Sequence, residues 1–161
     1  MAVAWIGLGA NLGDAAGTVR AAIAALDTLA GTRLQQASRL YAPPAWGNED
    51  QPPFVNAVAA VDTELAPLDL LQALLALEQH FGRVRDPAVH WGPRALDLDL
   101  LLYGQQHVDE PGLQVPHPYV HQRAFVLVPL AEIAPELAIP GHGRVQDAVM
   151  RVDACGIAPI G

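Results

Sequence analysis

The residues best suited to chemistry lie in His90-Trp91-Gly92-Pro93-Arg94-Ala95-Leu96-Asp97-Leu98-Asp99-Leu100-Leu101-Leu102. A Gly-Pro turn there leads into an apolar run broken only by Asp97 and Asp99. Successive side chains of a strand leave opposite faces, so Leu96, Leu98 and Leu100 share one face and the two aspartates the other. The carboxylates then stand side by side, roughly 6–7 Å apart along the strand. Burying such a pair beside leucines is costly unless a cation neutralises it. Paired oxygen ligands suit Mg²⁺, which keeps several waters and completes its shell with substrate phosphates. A half-exposed strand with a solvated acidic face is the plain alternative. Arg94 just ahead of the pair, with Arg83 and Arg85 further back, tips the reading toward a nucleotide site.

The elements that must position these residues belong to a chain of 161 residues, 52% of them hydrophobic. That length bounds one domain, residues 1–161, with a core of useful size. The apolar fraction excludes a disordered chain, and no apolar run is long enough to span a bilayer. The N-terminus lacks the basic start of a secretory signal, so a cytoplasmic protein is expected. Cys155 stands alone, which excludes an internal disulfide and a cysteine zinc cluster. A formal net charge of −8 argues against nucleic acid as a partner. All nine basic residues are arginine. Without lysine there is no Walker-A phosphate loop and no Schiff-base chemistry. Phosphate must therefore be met by arginine, backbone amides or metal.

Ala2–Gly9 reads as a strand that runs into a glycine-bracketed turn, where Asn11, Asp14 or Thr18 caps a helix. Val19, Ile23, Leu26 and Ala30 recur at helical spacing, and Gly31 stops the run. Arg33–Tyr41 reads as a second strand. Residues 42–53 hold four prolines and form no regular element; a loop of that length in a compact domain is usually functional. Phe54–Thr63 returns to strand, with Phe54, Asn56, Val58 and Ala60 on one face. Pro67–Phe81 is the clearest helix, its buried stripe Leu70, Leu74, Leu77 and Phe81. Residues 83–93 form a second irregular segment, and the aspartate strand follows. Further on come a short strand region near 106–115, a helix over 121–134 and a last helix near 145–152. The order β-α-β-β-α-β is the ferredoxin-like α+β arrangement: an antiparallel sheet with helices on one face, here with additional C-terminal helices. The open face, carrying Asn56 and the aspartates, is the expected site.

These segments resemble the 6-hydroxymethyl-7,8-dihydropterin pyrophosphokinases of folate biosynthesis. The likeness is carried by Ile6-Gly7-Leu8-Gly9-Ala10-Asn11-Leu12-Gly13-Asp14, Gln51-Pro52-Pro53-Phe54-Val55-Asn56 and Gly82-Arg83-Val84-Arg85. Trp91–Asp99, Val115-Pro116-His117-Pro118 and Arg123-Ala124-Phe125 add to it, so it spans nearly the whole chain. The resemblance implies a transferase that moves diphosphate from ATP to the pterin's hydroxymethyl group and releases AMP, using two Mg²⁺ ions. It implies that Asp97 and Asp99 hold both metals and that Asn56 hydrogen-bonds a pterin lying between Phe54 and Phe125. Pro44, Ala45, Trp91 and Asp97 complete the implied pterin site. Arg83, Arg85, Trp91, Arg94, Leu100, His117 and Arg123 form the implied ATP site, with Arg83 and Arg94 on a catalytic loop that closes over the triphosphate. A monomer with small-molecule partners only is expected. The chain departs from the family pattern at Phe54, where a tyrosine often occurs, at His90 and at Pro118.

Two other functions compete. A ligand-sensing module of the same fold needs neither the carboxylate pair nor the arginine-rich segment. A metal-dependent nucleotidyl transferase would use the same carboxylates but release pyrophosphate rather than AMP. Outside the site, Trp5 reads as core and Trp46 as either a lid aromatic or a loop anchor. His80, His107 and His142 read as solvent-facing, and His121 as a cap or turn residue. Glu78, at the edge of the Pro67–Phe81 stripe, reads first as a structural acid near the helix end, and is the one further carboxylate that invites a test.

Overall fold

The computed structural model describes residues 1–42, 54–82 and 95–160. Its elements are β1 (Ala2–Ala10), α1 (Ala15–Leu26), β2 (Thr32–Ala37), β3 (Tyr41–Ala42), β4 (Val55–Thr63), α2 (Pro67–His80) and β5 (Asp97–Tyr103). Then follow β6 (Val108–Glu110), β7 (Leu113–Val115), a 3₁₀ turn (Val120–Gln122), α3 (Ala124–Ile133), β8 (Ala138–Ile139), β9 (Gly143–Arg144), α4 (Val145–Arg151) and β10 (Ala158–Pro159). The main sheet runs β10-β3-β4-β1-β5, with β2 also paired to β4. Its pairs are antiparallel, and β1 lies between β4 and β5.

α2 begins and ends, and α1 begins, where the sequence dictates, but α1 stops at Leu26 with Asp27 as its C-cap and does not run on to Ala30 and Gly31. Asp14 caps α1 by accepting the Gly17 N–H at 3.0 Å. Pro67 opens α2 with its φ already set for a helix. Gly82, at φ 87°, takes the chain out of α2 in a conformation that few other residues adopt.

Strand alternation divides the core in two. Val55, Ala57, Ala59 and Val61 of β4 pack with Val19, Ala22 and Leu26 of α1 and Leu70, Leu74 and Leu77 of α2. Ala4, Ile6 and Leu8 of β1 and Leu98 and Leu100 of β5 complete that layer. Val58 and Leu101 face the other way, against Val126, Leu127 and Leu130 of α3 and Val145 and Ala148 of α4. A bulge opposite Trp5 and Ile6 inserts Leu101 into β5, so Leu101 and Leu102 both join this second cluster. Helices therefore lie on both faces, not one. The apolar run of α3 needs burial, and the far end of the sheet's second face is where it finds it. Only the half of that face bearing Gly7, Gly9, Asn56 and the aspartates is left for the site.

Three further expectations are corrected. The second strand is broken: Ser38 accepts the Val58 N–H on its Oγ at 3.0 Å, so a side chain replaces one rung of the ladder between β2 and β3. The region 106–115 is a hairpin that turns at Pro111-Gly112, with Gly112 at φ 83°. The helix expected over 121–134 starts late because Arg123 is extended (φ −104°, ψ 108°), which splits the 3₁₀ turn from α3.

Leu74 is fully buried at the centre of the α2 layer. Leu74→Ala should destabilise the protein by about 2–5 kcal/mol, read from urea unfolding. A loss below about 1 kcal/mol would mean that α2 is not seated on the sheet as described.

Candidate active site

Sheet register builds the site. Asp97 and Asp99 leave β5 on the same face, where their partners on β1 are Gly9 and Gly7. Glycine there leaves the carboxylates without side chains beside them on the central strand. At Gly9 space is tight as well: a Cβ would lie 2.9 Å from Asn56 Oδ1, inside contact distance, so a larger residue would displace the Asn56 amide. Asn56, on β4, is itself paired with Gly9 of β1 and with Tyr41 of β3. One row across four strands thus carries Tyr41, Asn56, Gly9 and Asp97.

Over this row opens a cavity of about 530 Å³ lined by, among others, Tyr41, Phe54, Asn56, Asp97, Asp99, Arg123 and Phe125. Phe54 is half-buried, while Phe125 stands 43% exposed on the first turn of α3. An apolar cavity lined by two phenyl rings and an amide suits a flat heteroaromatic ring with donors and acceptors on its edge. A second cavity of about 680 Å³ lies along the β6–β7 hairpin and is lined by Leu98, Asp99, Leu100, Asp109, Gln114, His117 and Pro118 among others. Asp99 borders both cavities. Leu100 reaches the second from within the core, where it is 4% exposed.

The basic groups are held in position. His117 Nδ1 accepts the Tyr119 N–H at 3.3 Å, so the neutral ring carries its proton on Nε2, where it can be donated. Burial lowers the His117 pKa below 6.5; Asp99 opposes the shift and Arg123 adds to it. The Arg123 guanidinium lies 5.4 Å from the Tyr119 ring centroid and 5.7 Å from that of Phe125. Two cation–π contacts hold it at the rim of the first cavity. The extended backbone of Arg123 is what turns it there.

Of the sequence-predicted residues, Phe54, Asn56, Asp97, Asp99, Arg123 and Phe125 meet in the first cavity. His117 and Leu100 meet in the second. Pro44, Ala45, Trp46, Arg83, Arg85, His90, Trp91 and Arg94 lie outside the described residues. Gly7, Gly9, Tyr41 and Ile157 are additional lining residues. The glycines were detectable as alternate positions of the first strand; Tyr41 depends on β3 pairing with β4 and Ile157 on β10 pairing with β3, which no local pattern announces. Among the described residues no cluster of three or more His, Cys, Asp or Glu side chains forms a metal cage. Two carboxylates opening on cavities still fit Mg²⁺, which takes its other ligands from water and phosphate.

A carboxylate pair at the junction of two cavities, with arginine and histidine beside it, is the arrangement of a phosphoryl-transfer site. A family model described as 7,8-dihydro-6-hydroxymethylpterin-pyrophosphokinase matches residues 5–135. The 2-amino-4-hydroxy-6-hydroxymethyldihydropteridine pyrophosphokinase of Pseudomonas aeruginosa is 53% identical over 136 residues, 84% of this chain and 83% of that one. Its namesake from Methylorubrum extorquens is 45% identical over 157 residues, 98% of each chain. The crystal structure of wild-type Plasmodium falciparum HPPK-DHPS superposes with a TM-score of 0.70 at 13% identity, over 93% of this chain and 41% of that one. At that identity the superposition shows the fold alone, and this chain spans less than half the length of that structure. The chain belongs to the 7,8-dihydro-6-hydroxymethylpterin-pyrophosphokinase family. Its activity is pyrophosphoryl transfer to hydroxymethyldihydropterin in folate biosynthesis.

The Tyr41 wall of the site is braced from α3. Glu132 accepts the Tyr41 O–H, the Arg39 backbone N–H at 3.1 Å and the Arg39 Nε–H at 3.3 Å. Burial works against the Glu132 charge, but these hydrogen bonds outweigh it and hold the carboxyl below its ordinary 4.5. A depressed folded pKa gives stability that is present above the unfolded value and lost as pH falls through the folded one. Unfolding followed below pH 4.5 should therefore show a steeper acid loss for the wild type than for Glu132→Gln. Parallel curves would mean that the brace does not hold a charged Glu132.

Proposed function

We propose that the first cavity takes the pterin, the second takes ATP, and diphosphoryl transfer occurs where they meet at Asp99. The observation that carries this reading is that Asp99 lines both cavities. Asp97 and Asp99 would hold two Mg²⁺ ions, which would supply neutralisation of the charge developing on the transferred phosphates. The ring stacks between Phe54 and Phe125, and Asn56 reads its polar edge, with Asp97, Pro44 and Ala45 beside it. The hydroxymethyl group would then face the carboxylate pair; its oxygen would bond to the β-phosphorus as the bond from that phosphorus to the α-phosphate oxygen breaks, so AMP leaves with that oxygen and the hydroxyl proton passes to solvent. His117 donates from Nε2 to a phosphate oxygen without needing to be protonated, and Arg123 places a fixed positive charge at the junction.

In the same reading Arg83, Arg85 and Arg94 meet the triphosphate and Trp91 closes over the bound pair, excluding water from the transfer. The 161 residues act as one domain and one monomer in the cytoplasm. The antiparallel order β2-β4-β1-β5, with α1 and α2 in the connections, supports a ferredoxin-like assignment.

Asp97→Ala and Asp99→Ala should each cut turnover on the order of a thousandfold, corresponding to several kcal/mol of charge stabilisation. The assay is AMP formation that depends on the pterin. Near-wild-type rates at saturating Mg²⁺ would refute the metal assignment, and pyrophosphate in place of AMP would favour nucleotidyl transfer. Asn56→Ala should weaken pterin binding by about 1–3 kcal/mol, because it removes hydrogen bonds that a polar ring edge requires. Phe54→Leu should cost less, since Phe125 still covers the opposite face. Fluorescence titration of a pterin in the presence of a non-hydrolysable ATP analogue compares the two. Equal, negligible losses would place the ring elsewhere.

A further inference from the structure

α2 carries a buried carboxylate to which the transfer chemistry gives no role. Glu78 is 4% exposed, on the α2 layer of the sheet. Its Oε2 accepts the N–H of Leu98 at 2.8 Å, in a buried hydrogen bond that spans twenty residues of sequence. Leu98 stands between Asp97 and Asp99. Its side chain is core, 5% exposed, so Glu78 grips the main chain of this segment independently of the leucine.

The location of this bond matters. β5 has β1 on one flank and, among the described residues, no strand on the other. In an antiparallel pair, alternate residues turn their N–H groups away from the partner strand. On an edge strand those groups have no ladder to join. The Leu98 N–H belongs to the planar peptide that joins Asp97 to Leu98. Anchoring that plane restricts ψ of Asp97 and φ of Leu98, and so limits how far the Asp97 side chain can swing from its direction on the strand.

We propose that Glu78 is a positioning residue for the metal site, acting through the Leu98 N–H to hold Asp97 parallel to Asp99. The inference rests on the reading that these two aspartates hold Mg²⁺. The role calls for an acceptor oxygen at this reach; a charged oxygen grips the N–H more tightly than a neutral one. Glutamine keeps the acceptor and leucine removes it at similar volume.

The test uses Mn²⁺ as the metal probe, with a non-hydrolysable ATP analogue and the full chain, and reads metal affinity by electron paramagnetic resonance. Hydrogen exchange at the Leu98 amide, followed by NMR, reports the bond itself. Glu78→Leu should weaken Mn²⁺ binding by about tenfold or more and open the Leu98 amide to exchange. Glu78→Gln, which keeps a weaker acceptor, should lower Mn²⁺ affinity by only about two- to threefold. A tie that served stability alone would lower the melting temperature of Glu78→Leu and leave its Mn²⁺ affinity unchanged, and that result overturns the proposal. So does a folded Glu78→Gln that binds Mn²⁺ as poorly as Glu78→Leu, because charge and not position would then be at work.

If Glu78→Leu does not fold, Glu78→Gln decides alone. Its Leu98 amide proton should move upfield as the bond weakens, and Mn²⁺ affinity should fall with it by about two- to threefold. A shifted amide with unaltered affinity overturns the proposal. Asp97→Asn separates the two levels of the argument. If it binds Mn²⁺ like the wild type, the metal reading itself fails; if it loses Mn²⁺ while both Glu78 variants retain it, only the inference about Glu78 fails.

Discussion

Two carboxylates on one face of one strand are the constraint around which the rest of the structure is arranged. A sheet buries both faces readily when both are apolar, and β5 is apolar everywhere except at Asp97 and Asp99. Those charges cannot be covered by a helix without a large desolvation cost. The half of the face they occupy therefore stays open, and its neighbours must tolerate them. On β1 the neighbours are Gly7 and Gly9, which add no apolar bulk beside the charges. The same glycine that faces Asp97 makes room for Asn56. The carboxylate pair and the Asn56 amide thus share one backbone requirement.

The covered half of that face gives the open half its rigidity. α3 and α4 bury Val58, Leu101 and Leu102, and they do so next to the cavity rather than across it. α3 then contributes to the site from its first residues: Arg123 ahead of it and Phe125 in its first turn. Its last turn returns to the same wall through Glu132, which holds Tyr41 and Arg39. One helix therefore carries one phenyl wall of the first cavity and braces another lining residue, which links packing on the far half of the sheet to the walls of that cavity.

Much of this was legible in the residues, and what was not shares a physical reason. Alternation placed Asp97 and Asp99 together and Leu98 and Leu100 opposite them, because side-chain direction in a strand is a local property. The stripe of α2 was equally local, and Leu70, Leu74 and Leu77 lie where their spacing put them. The GPRxLDLD segment carried the family resemblance, and the family assignment agrees with it. What local pattern missed was tertiary choice. Whether helices cover one face or both depends on where α3 lands, and its nearly uniform hydrophobicity names no face. The break at Arg123, the hydroxyl of Ser38 standing in for a ladder bond, and the joining of β10 to β3 are likewise settled by distant partners. His121 shows the same limit: it reads as a turn residue, yet its ring stacks on His142 with centroids 3.7 Å apart.

The central claim is that the metal–nucleotide complex sits against the Asp97–Asp99 face, at the junction of the two cavities. Paramagnetic Mn²⁺ bound with a non-hydrolysable ATP analogue tests it directly, because broadening of amide resonances falls steeply with distance from the ion. The account predicts that the signals of Gly7, Gly9, Asp97 and Asp99 broaden first as Mn²⁺ is added, with those at the α4 end of the sheet unaffected. Broadening centred on any other part of the molecule, with these four signals sharp, would contradict it.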